Sequence, residues 1–271
     1  MVTTALRPDI DTDIARVTET LAMITPRWNV RILLALARSP LRYSEVAAKV
    51  SWLQSGQLHP KLTSLCHVGL VERTEHTARH VTYGHTDRGK ALLQVLPVIV
   101  TWAEEHLEAA EHPLPAIEQI EDSLTLLTRR HAAAILWVLK SRQEVSGRAL
   151  GRIVMPGSDW TSVYPPLRQL VSDGLVVTDG VGRPYRLSEA GNALGPVLGS
   201  LSAWSAGQPL TRAAQHPVWG NPQVKPTPAP WVSSRPRPAP AAAAPGWHKR
   251  DLFSHATHSP NAAVPAGGPR R

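Results

Sequence analysis

The chain has 271 residues, enough for two small domains that each bury a core. Its single cysteine, Cys66, excludes an internal disulfide framework and a cysteine-rich zinc site, and fits a reducing cytoplasm. Of the charge of +8, residues 206–271 supply eight Lys/Arg and one Asp, which leaves 21 Lys/Arg against 20 Asp/Glu before them, so overall basicity does not by itself argue that the folded part binds nucleic acid.

Residues 11–24 predict a first helix, with Ile14, Val17, Leu21 and Ile24 at helical spacing and acids in its first turn. Thr25-Pro26 predicts the start of a second, whose buried stripe is Trp28, Ile32, Leu33 and Leu36, and Ser39-Pro40 breaks it. Residues 43–50 and 58–68 give a third and a fourth helix, the latter ended by Gly69 as a left-handed cap. Two short strands follow at 70–73 and 80–83, joined by 74–79. A long closing helix runs from Thr86 or Asp87 to about Glu111, kinked at Pro97. The same plan then recurs: helices at 114–127, 130–140, 147–154 and 164–172, strands at 175–178 and 185–187, and a helix at 189–203. Beyond about 206 come thirteen prolines and no aliphatic periodicity, a composition that cannot offset its ordering entropy and reads as disordered.

The recurrence extends to residues. Trp28 aligns on His131 at an offset of 103, Leu62 on Leu167 at 105, and Tyr83 on Tyr185 at 102. Leu-x-x-Leu-x-x-x-Gly-Leu-Val occurs at 62–71 and 167–176, and Tyr-x-x-[Thr/Ser]-x-x-Gly begins at Tyr83 and Tyr185, each leading to a tryptophan, Trp102 or Trp204. The drift in offset confines insertions and deletions to connecting segments, as expected of an internal repeat.

Helices followed by a two-stranded wing form a winged helix-turn-helix plan, in which one amphipathic helix enters the major groove and the wing reaches the backbone. The fourth helix is the candidate reader. Its Leu58, Leu62 and Leu65 face the core, and Pro60, Thr63, Ser64 and His67 face away; in the second unit Val163, Leu167 and Leu170 face inward, with Pro165, Arg168, Gln169 and Ser172 outside. Base edges are met by the first turns of a reader and the loop before it: Gln54, Ser55, Gln57, His59 and Lys61 here, and Trp160, Thr161, Ser162 and Tyr164 in the second unit. Gln pairs bidentately with adenine, and Lys meets guanine or phosphate. Wing arginines Arg73, Arg79 and Arg183 are candidates for phosphate, the first two partly balanced by Glu72 and Glu75.

The motifs Trp28-x-x-x-Ile32-Leu33-Leu34-x-Leu36, Arg42-Tyr43-Ser44-Glu45-Val46, Leu58-x-x-Lys61-Leu62-x-x-Leu65-x-x-x-Gly69-Leu70-Val71-Glu72-Arg73 and Val81-x-Tyr83-x-x-Thr86-x-x-Gly89-x-x-Leu92 resemble the HxlR group of winged-helix transcription regulators. The resemblance covers 11–110; residues 113–206 look like a diverged copy, and 207–271 form the basic tail. It implies a mainly α fold with small two-stranded β-wings, as two tandem winged helix-turn-helix domains, in a cytoplasmic regulator of double-stranded DNA. It also implies homodimerisation through the first and last helices, which a tandem copy would convert into an internal pseudo-dimer. Family members carry polar residues where this chain has His59-Pro60-Lys61 and Tyr164-Pro165-Pro166. Proline inside a helix costs roughly 3 kcal/mol, so each reader is expected to start near its proline, one turn late, with the second unit more impaired. The cysteine through which some members sense oxidants has no counterpart in Ile14-Ala15-Arg16-Val17.

No cofactor, metal or membrane contact is expected. No apolar run reaches the roughly 18 residues that cross a bilayer, and the opening residues do not read as a signal peptide. There is no phosphate loop, nucleophile elbow or paired-carboxylate motif, so the chain is not read as an enzyme. Trp102 and Trp204 read as packing anchors, Cys66 as a semi-buried small residue, and His76, His80 and His85 as wing residues rather than metal ligands. Two alternatives stay open: a winged-helix protein-interaction module that has lost specific DNA binding, and a sensor with a small-molecule pocket between the units.

Overall fold

Helix α1 (Pro8–Ile24) opens with proline at its first position and buries Ile14, Val17, Leu21 and Ile24. The computed structural model describes residues 4–77, 79–107 and 115–220. Thr25 closes α1 and does not open the next helix as expected. The chain reverses through Pro26 and Trp28, with Trp28 at φ 79° and the Asn29 side-chain amide donating to the Met23 carbonyl at 2.8 Å. Helix α2 (Asn29–Ala35) therefore starts later than Thr25-Pro26 implied. A short strand β1 (Leu41–Arg42), absent from the sequence reading, leads to α3 (Tyr43–Lys49).

The fourth helix corrects a second expectation. Helix α4 (Ser55–His67) starts a turn before Pro60 and carries that proline inside. Proline removes the N–H that would meet the Gly56 carbonyl, but Gly56 lies in the exposed first turn, with open space around its Cα, where water can serve that oxygen. At its other end Gly69 takes φ 71° and the Leu70 amide donates to the Leu65 carbonyl at 3.0 Å, closing the helix with a left-handed cap.

Strands β2 (Val71–Thr77) and β3 (His80–His85) are longer than expected and absorb most of the anticipated loop. They pair antiparallel from Val71–His85 to Thr77–His80, with an irregularity between Glu75 and Thr77, and β1 adds to β3 through Leu41–Tyr83, giving the order β1-β3-β2. The wing is thus the outer part of a three-stranded sheet. The closing helix is two helices, α5 (Asp87–Leu93) and α6 (Leu96–His106), broken just before Pro97.

The succession then recurs as α7 (Ala116–Leu127), α8 (Ala132–Arg142), β4 (Glu144–Val145), α9 (Gly147–Val154), a 3-10 turn at Trp160–Val163, α10 (Tyr164–Ser172), β5 (Val176–Thr178), β6 (Tyr185–Leu187), α11 (Glu189–Ala193) and α12 (Gly195–Ser205). Its sheet repeats the order as β4-β6-β5. Here Pro165 and Pro166 fall in the first turn of α10, where a missing N–H costs little.

Local devices recur as well. Thr86 Oγ1 donates to the Gly69 carbonyl at 2.7 Å and accepts from the Gly89 amide at 3.0 Å; Ser188 Oγ donates to the Gly174 carbonyl at 2.6 Å and accepts from the Gly191 amide at 2.9 Å. A Cβ added at Gly89 would lie 2.1 Å from the Leu70 oxygen, and one at Gly191 the same 2.1 Å from the Leu175 oxygen. Only glycine lets the helix start approach the strand so closely, which explains the Tyr-x-x-[Thr/Ser]-x-x-Gly spacing.

The two halves meet through one another's outer helices: α1 packs on α12 and α8, and α6 on α7, α11 and α12. Trp102 and Trp204 are 3% and 4% exposed. Trp102 Nε1 donates to the Ala190 carbonyl at 3.0 Å, and Trp204 Nε1 to the Arg88 carbonyl at 2.9 Å. Those residues are equivalent at an offset of 102, so the two bonds are reciprocal. Arg31 on α2 grips Glu121 on α7, with Nη2 to Oε2 at 2.8 Å.

Residues 207–220 depart from the expected tail. Gly207 takes φ 66°, a 3-10 segment (Leu210–Gln215) lies on α12, and Trp219 is 5% exposed. His216 Nε2 is 3.0 Å from Asp13 Oδ2, while its Nδ1 accepts from the Trp219 amide at 3.0 Å. The order here comes from contacts with α1 and α12, which local composition does not encode. The rest of the expected tail, 221–271, and the expected junction between units at 108–114 lie outside the described residues.

Candidate nucleic-acid interface

The reader surface of α4 rests on its leucines. Leu58, Leu62 and Leu65 are buried, as their spacing predicts, so their neighbours turn outward. Gln54, Gln57, His59, Thr63, Ser64 and His67 are exposed, and Ser55 forms the first residue of the helix. Lys61 is half-buried, and burial pushes its ammonium below its ordinary pKa. Early initiation of α4 puts Gln57, His59 and Lys61 on one continuous helix with Ser64, a longer polar face than the prolines implied.

In the wing, Arg73 and Arg79 are both exposed. Arg73 is tied to Glu75, whose hydrogen bond holds its guanidinium pKa above the ordinary value. Arg79 sits at the tip of the hairpin and makes no ion pair among the described residues. His76 and His80 stack beside each other with ring centres 4.8 Å apart, whereas His85 is buried with its Nε2 2.8 Å from the Leu33 carbonyl. Cys66 is partly buried; burial raises its thiol pKa, partly offset by the Arg73 charge.

The second half presents less. Thr161 is exposed, but its amide and hydroxyl both engage Asp159 Oδ1, at 2.8 and 2.9 Å, and these bonds hold the Asp159 carboxyl below its ordinary pKa. Tyr164 is half-buried: its ring packs edge-on to Trp160 at 5.8 Å and fills the space a side chain at Gly147 would need. Ser162 and Arg168 remain exposed on α10 and its approach. Arg183 lies exposed in the β5–β6 turn, where Asp179 is instead engaged by Arg186 at 2.8 Å.

One feature of the α4 approach has no counterpart in the residues singled out from sequence. Trp52, two residues before Gln54, is 44% exposed and lies 4.5 Å from the Trp28 ring. Arg27 stacks on Trp28 at 4.1 Å, and Arg31 lies 5.5 Å from the Trp52 ring. The two tryptophan rings, tilted at 42° to each other and flanked by Arg27 and Arg31, form an aromatic and cationic patch at the start of α4. The sequence signal was an unpaired tryptophan in a polar loop.

The profile of the HxlR-like helix-turn-helix family matches residues 23–111. The HTH-type transcriptional regulator YdzF of Bacillus subtilis is 31% identical over 86 residues, 31% of this chain and 79% of that protein. YvaP, from the same organism and of the same description, is 32% identical over 88 residues, 32% of this chain and 82% of the relative. The chain belongs to the HxlR-like helix-turn-helix family. A third relative, the HTH-type transcriptional regulator YtfH of Escherichia coli, is 29% identical over 91 residues, 33% of this chain and 72% of its own. These are transcription regulators and not enzymes, and the shared region carries α2, α3, α4, the β2–β3 wing and α6. Among the described residues no helix is long and apolar enough to cross a membrane.

Proposed function

We propose that this chain is a sequence-specific regulator of transcription on double-stranded DNA, in which two winged-helix units, 11–110 and 113–206, arose by duplication and pack as an internal pseudo-dimer. The observation that carries it is the reciprocal pair of bonds, Trp102 to the Ala190 carbonyl and Trp204 to the Arg88 carbonyl, between equivalent residues of the two halves. A two-fold interface uses one patch twice, so each contact has a mirror partner. The repeated glycine approaches and caps support the same reading.

In this reading α4 dominates base contact through Gln57, His59, Lys61 and Ser64, with Gln54 and Ser55 leading in. Arg73 and Arg79 meet the backbone. The second unit contributes mainly packing and backbone contact through Arg168, Arg183 and Ser162, because Tyr164 and Thr161 are committed to internal contacts. The near balance of Lys/Arg and Asp/Glu before residue 206 implies that specificity rests on base edges more than on net charge.

The test is fluorescence anisotropy across a salt series, on a duplex selected by genome-wide mapping of bound sites. Gln57→Ala with Lys61→Ala should abolish specific binding, whereas Arg168→Ala weakens it modestly, within about 1 kcal/mol. Equal loss from either unit would refute the asymmetry. Binding that disappears when 221–271 is removed would leave only the electrostatics of the basic segment.

A further inference from the structure

The two halves fill one pair of equivalent positions differently. In the first, the Trp28 and Trp52 rings lie 4.5 Å apart, and the Arg27 guanidinium stacks on Trp28 at 4.1 Å. Counting 103 residues on from Arg27 and Trp28 gives Arg130 and His131. Trp52 falls between Val50, matched by Val154 at 104, and Leu62, matched by Leu167 at 105, so its counterpart is Pro156 or Gly157. The second half therefore keeps the arginine and lacks both indoles. An open hollow of about 800 Å³ lies there, with Val154, Met155, Pro165 and Pro166 as its apolar wall.

The charge lining this hollow has one sign. Arg129 and Arg130 line it together with Ser158 and Ser162, and no carboxylate does so among the described residues. The buried Asp173 meets Arg129 through Nε at 3.2 Å, which leaves both Nη groups without a hydrogen bond among the described residues. Asp159, in the loop before α10, is engaged by Thr161. Arg130 donates from Nε to His131 Nε2 at 3.1 Å and has no ionic partner among the described residues. Burial, aided by the Arg130 charge, lowers the His131 pKa and favours the neutral ring, so the uncompensated charge is that of Arg130. Ser158 and Ser162 are exposed, and their hydroxyls make no hydrogen bond among the described residues. An apolar wall beside accessible guanidinium and hydroxyl donors has the makeup of a ligand site, and the volume lies within the range of such sites.

We infer that this hollow binds an aromatic carboxylate, whose ring takes the place of a missing indole against Arg130 and whose anion is held by the guanidiniums and the serine hydroxyls. Arginine suits both tasks, because its planar fork stacks on aromatic faces and pairs with carboxylates. The Arg27 stack on Trp28 shows the first of these at the equivalent position. A phosphate of duplex DNA would answer the charge but leave the apolar wall and the space of the rings unfilled. Binding as such needs only the hollow. Ser162 is also assigned above to the DNA backbone, so an occupant competes with the operator there, a consequence that rests on the regulator reading.

The test uses amide NMR titrations of the full chain with indole-3-carboxylate and with indole-3-carboxamide, the same shape without the charge. The carboxylate should shift amides of 129–131, Gly157, Ser158 and Ser162 and bind about tenfold more tightly than the amide, the worth of one charge-assisted hydrogen bond. Arg130→Gln, at an exposed position, should narrow that ratio to less than about threefold. Gly157→Trp returns an indole to the hollow and should block both probes; a Cβ at Gly157 meets nothing within 4 Å, so the backbone tolerates the change. Absence of shifts at millimolar carboxylate, equal binding of the two probes, or indifference to both substitutions would overturn the site. Loss of DNA affinity in Arg130→Gln without any binding of the carboxylate would overturn it too and assign this arginine to a DNA phosphate. Operator anisotropy with saturating carboxylate separates the two levels: binding without change in DNA affinity keeps the site and removes the competition, whereas failure of the unliganded chain to bind DNA bears on the regulator reading only.

Discussion

Replacing Trp219 with alanine tests whether the body of the protein extends past residue 206. A Cβ at Gly199 would lie 3.3 Å from Trp219 Cβ, and one at Gly195 would lie 2.7 Å from the Trp219 carbonyl, so this residue sits directly on α12. A tryptophan buries roughly 200 Å², worth about 5 kcal/mol at 25 cal/mol per Å². Residual burial in the unfolded chain removes up to about a third. About 3–4 kcal/mol remains, within the usual range for truncating a buried tryptophan. For a body of this size each kcal/mol moves Tm by about 2–4 °C, so Trp219→Ala should melt about 6–16 °C lower, followed by far-UV circular dichroism. A drop of less than about 2 °C would refute the packing, and with it the placement of 207–220 in the fold.

Three further outcomes follow from the same geometry. Trp102→Phe and Trp204→Phe each remove one buried indole hydrogen bond between the halves and some packing, so each should cost about 1–3 kcal/mol in urea unfolding; a gap between them above about 2 kcal/mol would contradict a reciprocal interface. Gly89→Ala and Gly191→Ala force a Cβ onto the Leu70 and Leu175 oxygens, so each should destabilise by about 1–3 kcal/mol, measurable in the same assay. Burial opposes ionisation of Asp13, but hydrogen bonds from His216 and Ser202, together with the Arg16 charge, outweigh it and hold its carboxyl below the ordinary 3.8. That stabilisation is complete above 3.8 and fades as pH falls through the lowered folded value, so Asp13→Asn should flatten the acid side of the stability profile.

Much of the fold was legible because it depends on neighbours in sequence. The helices Gly147–Val154 and Tyr164–Ser172 and the strand Tyr185–Leu187 fall where period and turn residues put them. The outward set on α4 followed from the spacing of Leu58, Leu62 and Leu65. Other features depend on residues far apart. Pro60 reads as a helix breaker until the exposed Gly56 turn beneath it is known. Trp219 reads as a stray aromatic among prolines, although Gly195-x-x-x-Gly199 on a helix without charged residues was a visible sign that something packs there. Tyr164 looked free to meet a base because its contact, Gly147, lies on another helix. Which residues of α4 face outward was legible; which candidate residues are already engaged was not.

A pseudo-dimer of the kind proposed above carries both faces of its junction on one polypeptide, which changes what substitution can do. In a pair of identical subunits every change enters twice, so Arg31 and Glu121 could not exist on one flank without appearing on the other. Here one flank carries the Arg31–Glu121 ion pair, and the equivalent positions on the other are Ala134 and Thr18. In the pseudo-dimer proposed above, the same freedom extends to the outer helices α4 and α10, whose exposed residues already differ.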